Sequence, residues 1–132
     1  MKYKTRATTT DALVIRDNKI LLIKRKNNPS RGWWALPGGY VDFNETVEAA
    51  CKREVKEETG LNVKKLRLLG IYSSPKRDPQ QTVTIAYIVN AIGTAAASDD
   101  AADARWFPLN KLPKLAFDHA QMIIDYKKLN KK

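Results

Sequence analysis

The chain is poor in sulfur, with one cysteine, Cys51, and two methionines in 132 residues. A lone cysteine cannot close an internal disulfide, which excludes a disulfide-stapled secreted scaffold. Histidine is equally scarce: His119 is the only one, and one histidine with one cysteine does not make a zinc site. Long hydrophobic runs are missing as well. Stretches such as Ile20-Leu21-Leu22-Ile23 are far too short to span a bilayer. Lys2, Lys4 and Arg6 open the chain, but Thr8-Thr9-Thr10-Asp11 stands where a signal peptide needs an apolar segment. These absences lead to the expectation of a reducing, cytoplasmic setting with no membrane partner.

Acid is the scarcer charge, with 14 Asp and Glu against 24 Lys and Arg, for a formal net charge of +10. Such a field attracts polyanions, whether nucleic acid, anionic membrane or phosphorylated metabolites, and does not choose among them. Hydrophobic residues make up 43% and charged residues 29%, which is ordinary for a globular chain and excludes a wholly disordered one. At this length one domain over 1–132 is expected. It can bury about two thirds of its unfolded surface.

Thr8 to Ile15 is rich in Thr, Val and Ile and reads as a strand. Asp17-Asn18 turns it into a hairpin partner over Lys19 to Lys26. Asn27 to Gly32 is a polar loop, and Trp33 to Pro37 a short extended piece ending at Gly38-Gly39. A helix follows, with Thr46 or Asn44 as N-cap, Glu48 at the positive end of its dipole and Gly60 at its C-terminal stop. Val47, Ala50, Cys51 and Val55 share one face, which is expected to pack on a sheet. In that position Cys51 acts as a small buried hydrophobe. Val63 to Tyr72 and Thr82 to Ile92 read as strands. A small-residue acidic loop spans Thr94 to Asp103, and Arg105-Trp106-Phe107 returns to extended structure. A closing amphipathic helix is expected over Phe117 to Leu129, with Phe117, Ala120, Ile123 and Ile124 on its apolar side.

The informative segment is Gly39 to Leu61, and within it Arg53-Glu54-Val55-Lys56-Glu57-Glu58. At about 3.6 residues per turn, Glu54 and Glu58 lie one above the other with Glu57 beside them. Like charges at that spacing repel. Lys56 projects elsewhere, so the carboxylates converge with no lysine between them. Hard divalent cations such as Mg²⁺ or Mn²⁺ take oxygen ligands, which a carboxylate cluster supplies. Gly38-Gly39 lets backbone come close to such a cluster. The competing reading is a solvated acidic face paired locally with Arg53.

Gly39, Glu45, Arg53, Glu54, Val55, Glu57, Glu58, Gly60 and Leu61 fill the fixed positions of the Nudix box with its gaps, and the chain therefore resembles the Nudix hydrolase family. Trp34-Ala35-Leu36-Pro37 looks like that family's lead-in to the box, and 99–107 like its late loop and strand. The resemblance implies an α+β fold, a mixed sheet sandwiched between helices with the box as loop–helix–loop. It implies hydrolysis of the pyrophosphate in a nucleoside diphosphate linked to another group. The Gly38 carbonyl with Glu54, Glu57 and Glu58 would hold Mg²⁺, Arg53 would orient the glutamates, and Glu45 would support the box loop. Metals serve this chemistry by neutralising phosphate charge and acidifying the attacking water, whose proton a general base must take. That base is either a box glutamate, Glu57 or Glu58, or a late acid among Asp99, Asp100 and Asp103, with Asp100 as the candidate put forward.

A second resemblance lies beyond the box. Ser73-Ser74-Pro75-Lys76-Arg77-Asp78-Pro79 and Leu115-Ala116-Phe117-Asp118-His119 look like segments of ADP-ribose pyrophosphatases, although Gln80-Gln81 stands where relatives often carry a basic and a glycine-containing pair. It implies ADP-ribose as substrate, split to AMP and ribose 5-phosphate. Prolines stiffen a loop carrying Lys76 and Arg77, which are candidate substrate contacts together with Arg25 and Arg31. Trp33, Trp34, Tyr40 and Phe43 are expected to be mostly core, with one free to stack on adenine. His119 is expected to start a helix or pack. The alternatives are a MutT-like nucleoside triphosphate pyrophosphohydrolase and a non-catalytic nucleic-acid-binding Nudix domain. The second is disfavoured because a binding module gains nothing from repelling carboxylates. Members of the family it resembles often dimerise, so a second copy of the chain is a candidate partner for a homodimer.

Overall fold

The computed structural model describes residues 3–95 and 103–130. Its elements run β1 (Thr8–Arg16), β2 (Lys19–Lys24), β3 (Trp34–Ala35), β4 (Gly38–Tyr40), α1 (Val47–Thr59), β5 (Asn62–Tyr72), β6 (Val83–Ile92), β7 (Asp103–Pro108) and α2 (His119–Asn130). Asp17 and Asn18 both adopt positive φ, 52° and 60°, as a two-residue turn matched to strand twist requires. That turn sets Arg16 opposite Lys19 and Ile15 opposite Ile20.

The sheet is mixed, in the order β3-β2-β1-β6-β5, with β4 joined to β1 and β7 to β2. Among the described strands β1 and β6 are the parallel pair, from Thr8 beside Val83 to Val14 beside Val89. β1 is the shared strand: its first half pairs with β4, its end with β2, and nearly its whole length with β6.

Period-2 alternation along these buried strands divides the interior. Ala12 and Val14 of β1, Leu21 of β2 and Tyr87, Val89 and Ala91 of β6 face Cys51 and Val55 of α1. Leu13, Ile20, Leu22 and Ala86 face the opposite way, onto Met122, Ile123 and Tyr126 of α2. The sheet is thus sandwiched between the helices, because each central strand is apolar on both faces. No helix among the described residues is long and apolar enough to cross a membrane.

Several boundaries differ from the sequence reading. β2 stops at Lys24, and Arg25 turns out of the ladder to hydrogen-bond Trp33 and Gly32 across the loop. The second helix begins at His119, because Phe117 sits at φ 52°, where a helix cannot continue. Its buried side is His119, Met122, Ile123 and Tyr126, while Ala120 and Ile124 face solvent. Trp33, Tyr40 and Phe43 are exposed rather than core, Phe43 by 98%. Trp34 alone is half-buried, edge-on to Phe107 at 4.8 Å.

Candidate active site

α1 carries the acidic groups, and its ends explain its placement. Thr46 is the N-cap, its hydroxyl accepting from Ala49 N at 3.0 Å, and Gly60 ends the helix in the left-handed region with its N–H on the Lys56 carbonyl. Cys51 and Val55 anchor the inner face. Burial pushes the Cys51 thiol up to about 12, so it is inert packing rather than a nucleophile.

With that face buried, Arg53, Glu54, Glu57 and Glu58 turn toward β4 and the loop before the helix. Arg53 is the clip. Its Nε and Nη2 donate to both Glu45 oxygens at 2.8 Å, its Nη2 also to the Tyr40 carbonyl at 3.0 Å, and its Nη1 to Glu57 at 3.2 Å. Glu45 in turn accepts from Asp42 N, and with the Arg53 guanidinium beside it its carboxyl falls to about 2. The fork therefore joins loop, strand and helix at one point.

The other carboxylates lack such compensation. Burial raises Glu58 to about 8, despite the hydrogen bond it accepts from Gly38 N at 2.7 Å; Glu54 and Asp11 push it in the same direction. Burial likewise raises Glu54 to about 7, against the pull of Arg53 and with a push from Glu57. A Cβ on Gly39 would overlap the Glu54 carboxyl, and one on Gly38 would overlap the Thr10 carbonyl and Asp11. Gly38-Gly39 is therefore the gap in which these carboxylates lodge. Among the described residues no three acids or histidines already gather at ligating distance, since Glu57 is exposed and held by Arg53. The donor set nonetheless fits a hard divalent ion: carboxylate oxygens crowded together, raised by burial and mutual repulsion, beside a bare backbone strand.

A cavity of about 490 Å³ opens beside this cluster. Glu58, Gly38, Gly39, Arg25 and Phe117 line it, together with Arg77, Asp78, Pro79, Gln80 and Thr82 of one loop. Tyr40 donates to Gln80 Oε1, both of them lining residues. Asp11 and His119 belong to the same lining. His119 Nδ1 accepts from Leu36 N at 3.0 Å, so Nε2 carries the proton toward Asp11 Oδ2 at 3.2 Å.

Of the proposed substrate contacts, Arg25 and Arg77 line this cavity, whereas Arg31 and Lys76 are exposed surface residues outside its lining. Arg77 is only 4% exposed. Its guanidinium is taken up by both Asp118 oxygens at 2.9 and 3.0 Å, by Asp78 at 2.9 Å and by Thr82. It fastens the loop to the start of α2. Asp99 and Asp100 lie outside the described residues, and Asp103 opens β7 opposite Lys24. Sequence reasoning missed two parts of the site. Asp11, an acid inside the apolar run Thr8–Ile15, carried the available signal, since a charge in a buried strand needs a reason. Arg6 had none: it clasps the loop through the Gln81 and Ser73 carbonyls at 2.6 and 2.7 Å.

Residues 5–126 match the NUDIX domain. The chain belongs to the Nudix family. It is 56% identical over 126 residues, 94% of this chain and 75% of the relative, to the ADP-ribose pyrophosphatase of Methanocaldococcus jannaschii. The solved NUDIX domain of Shewanella oneidensis NrtR, complexed with ADP ribose, superposes with TM-score 0.89 at 28% identity, over 98% of this chain and 91% of that one. A bifunctional NMN adenylyltransferase/ADP ribose pyrophosphatase from Francisella tularensis, complexed with AMP and a Mn ion, gives TM-score 0.84 at 28% identity. This chain covers 43% of that longer one and is itself covered to 98%. The protein is a Nudix hydrolase with the family's α+β sandwich, and Nudix hydrolases generally work with divalent metal ions.

Proposed function

We propose that this Nudix hydrolase splits ADP-ribose into AMP and ribose 5-phosphate with Mg²⁺, and that residues 1–132 do so as one domain. The observation that carries this reading is the 56% identity to an ADP-ribose pyrophosphatase over 94% of the chain. The cavity supports it, because a diphosphate can lie beside Glu58 while the rest of the substrate extends toward Arg25 and Phe117.

The Gly38 carbonyl, Glu54, Glu57 and Glu58 would hold the ion. Bound there, a divalent cation neutralises the diphosphate oxygens and makes the attacking water more acidic. The chain's own residues do the rest. Arg53 keeps Glu57 and the Glu45 loop in register. Glu58, whose carboxyl burial pushes up to about 8, would be the carboxylate that takes the water proton were a bound cation to favour its charged form. Glu57 is the other candidate for that base, and Asp100 the candidate from the late loop. Asp11 and Asp78 keep the cavity wall acidic beside its cations.

The test is product analysis with Mg²⁺ and an EDTA control on ADP-ribose, nucleoside diphosphate sugars, dinucleoside polyphosphates, 8-oxo-dGTP and plain nucleoside triphosphates. AMP formed chiefly from ADP-ribose is the expected result. Pyrophosphate released preferentially from triphosphates would overturn the substrate while keeping the bond that is cut.

A further inference from the structure

The cavity lining also holds an arrangement that the hydrolytic chemistry does not use. Phe117 lines it with a backbone φ of 52°, a region a bulky L-residue rarely occupies and one that concentrates at ligand-holding sites. The strain is held from both sides. Ala116 N donates to the Trp34 carbonyl at 2.8 Å, and Asp118 is clamped by Arg77. Ala116 and His119 beside it in the chain are buried, yet Phe117 stays 37% exposed. The turn therefore spends conformational freedom on keeping an aromatic ring in the cavity rather than in the core.

Arg25 lies over that ring, its guanidinium carbon 4.9 Å from the centroid. Nε donates to the Pro29 carbonyl at 2.9 Å, which fixes the guanidinium plane. Among the described residues no carboxylate pairs with Arg25, whereas Arg77, the other arginine of the cavity, is fully engaged by Asp78 and Asp118. A guanidinium held over a phenyl ring and free of a carboxylate keeps a planar, weakly hydrated group available, which suits a flat heteroaromatic ring. A run of contacts links it to the acidic groups: Glu58 accepts from Gly38 N, Gly38 pairs with Asp11, Asp11 meets His119, and the His119 ring meets Phe117 edge-on at 5.7 Å.

We propose that Arg25 and Phe117 form a stacked shelf that receives the nucleobase and makes the enzyme prefer diphosphates carrying one. This rests on the reading of the cavity as a nucleoside diphosphate site. The shelf adds affinity only for the base-bearing half, so its removal acts on discrimination between substrates.

The experiment compares ADP-ribose with base-free 5′,5′-diribosyl diphosphate in wild type, Phe117→Leu, Phe117→Trp and Arg25→Lys. Alongside it, AMP and ribose 5-phosphate binding is measured by calorimetry in EDTA. Stacking predicts that Phe117→Leu lowers the ratio of kcat/KM for the two substrates about tenfold. AMP affinity falls with it, ribose 5-phosphate affinity does not, and Phe117→Trp restores both readouts. Arg25→Lys follows Phe117→Leu, since an ammonium has no planar face. A Phe117→Leu protein with wild-type ratio and AMP affinity overturns the shelf. Wild-type values in Arg25→Lys would make Arg25 a point charge on an anion and overturn its part. Failure of wild type to cleave ADP-ribose would sink the substrate reading alone, leaving AMP binding to decide the shelf.

Discussion

At the scale of single residues the site separates into an acid whose charge is well compensated and acids whose burial outweighs their partners. Glu45 has Arg53 and sits far below its ordinary value, while Glu54 and Glu58 are buried with too little positive charge and sit far above theirs. Glu58→Gln removes a carboxyl that burial already disfavours in its charged form and keeps an oxygen for Gly38 N. The expected outcome is turnover lower by orders of magnitude with a Tm equal to or above wild type; steady-state assays and thermal melts on the same preparation check it. Undiminished activity would remove Glu58 from the machinery. This much was legible in the sequence, because Arg53, Glu54, Glu57 and Glu58 come from one helix whose spacing fixes their neighbours. Arg77 was half legible. Its place beside the cavity followed from the proline-framed loop, but its binding to Asp118, 41 residues on, is a pairing across the fold that no local pattern encodes.

At the scale of elements, two glycines flank the same helix and do different jobs. Gly39 lies in β4 with the Glu54 carboxyl where a Cβ would stand, whereas Gly60 ends α1 at φ 79°. Gly39→Ala is expected to displace Glu54 and abolish most activity with a modest change in Tm. Gly60→Ala is expected to cost about 1 kcal/mol of stability and leave kcat near wild type. Denaturant melts and assays of the pair check the contrast; equal activity losses would refute it. The sequence located α1 closely because its caps are local chemistry. It misplaced the start and the face of α2 because His119, a polar residue, is buried there. Leu36 N, between β3 and β4, and Asp11 of β1 satisfy its ring from elsewhere in the fold, so apolar periodicity favoured Phe117 and Ile124 instead. The exposed Tyr40 and Phe43 belong to the same error, since aromatic character alone does not reveal which side of a loop faces water.

At the scale of the whole molecule, the charge of +10 acts over a longer range than any contact in the cavity. Its effect is expected on encounter with an anionic substrate: kcat/KM falls as ionic strength rises while kcat holds. Salt-series kinetics with an uncharged salt-matched osmolyte control measure this, and a salt-independent kcat/KM would assign the charge to another task. β1 sets a different kind of limit. It carries Ala12 and Val14 to one helix and Leu13 to the other, and Asp11 into the cavity. Inserting or deleting one residue in it would exchange the contents of both interiors at once and turn Asp11 away from His119. The strand thus works as a parity check: its reading frame is either entirely right or entirely wrong, so length changes have to accumulate in the connecting loops, and no half-shifted form can keep a working pocket.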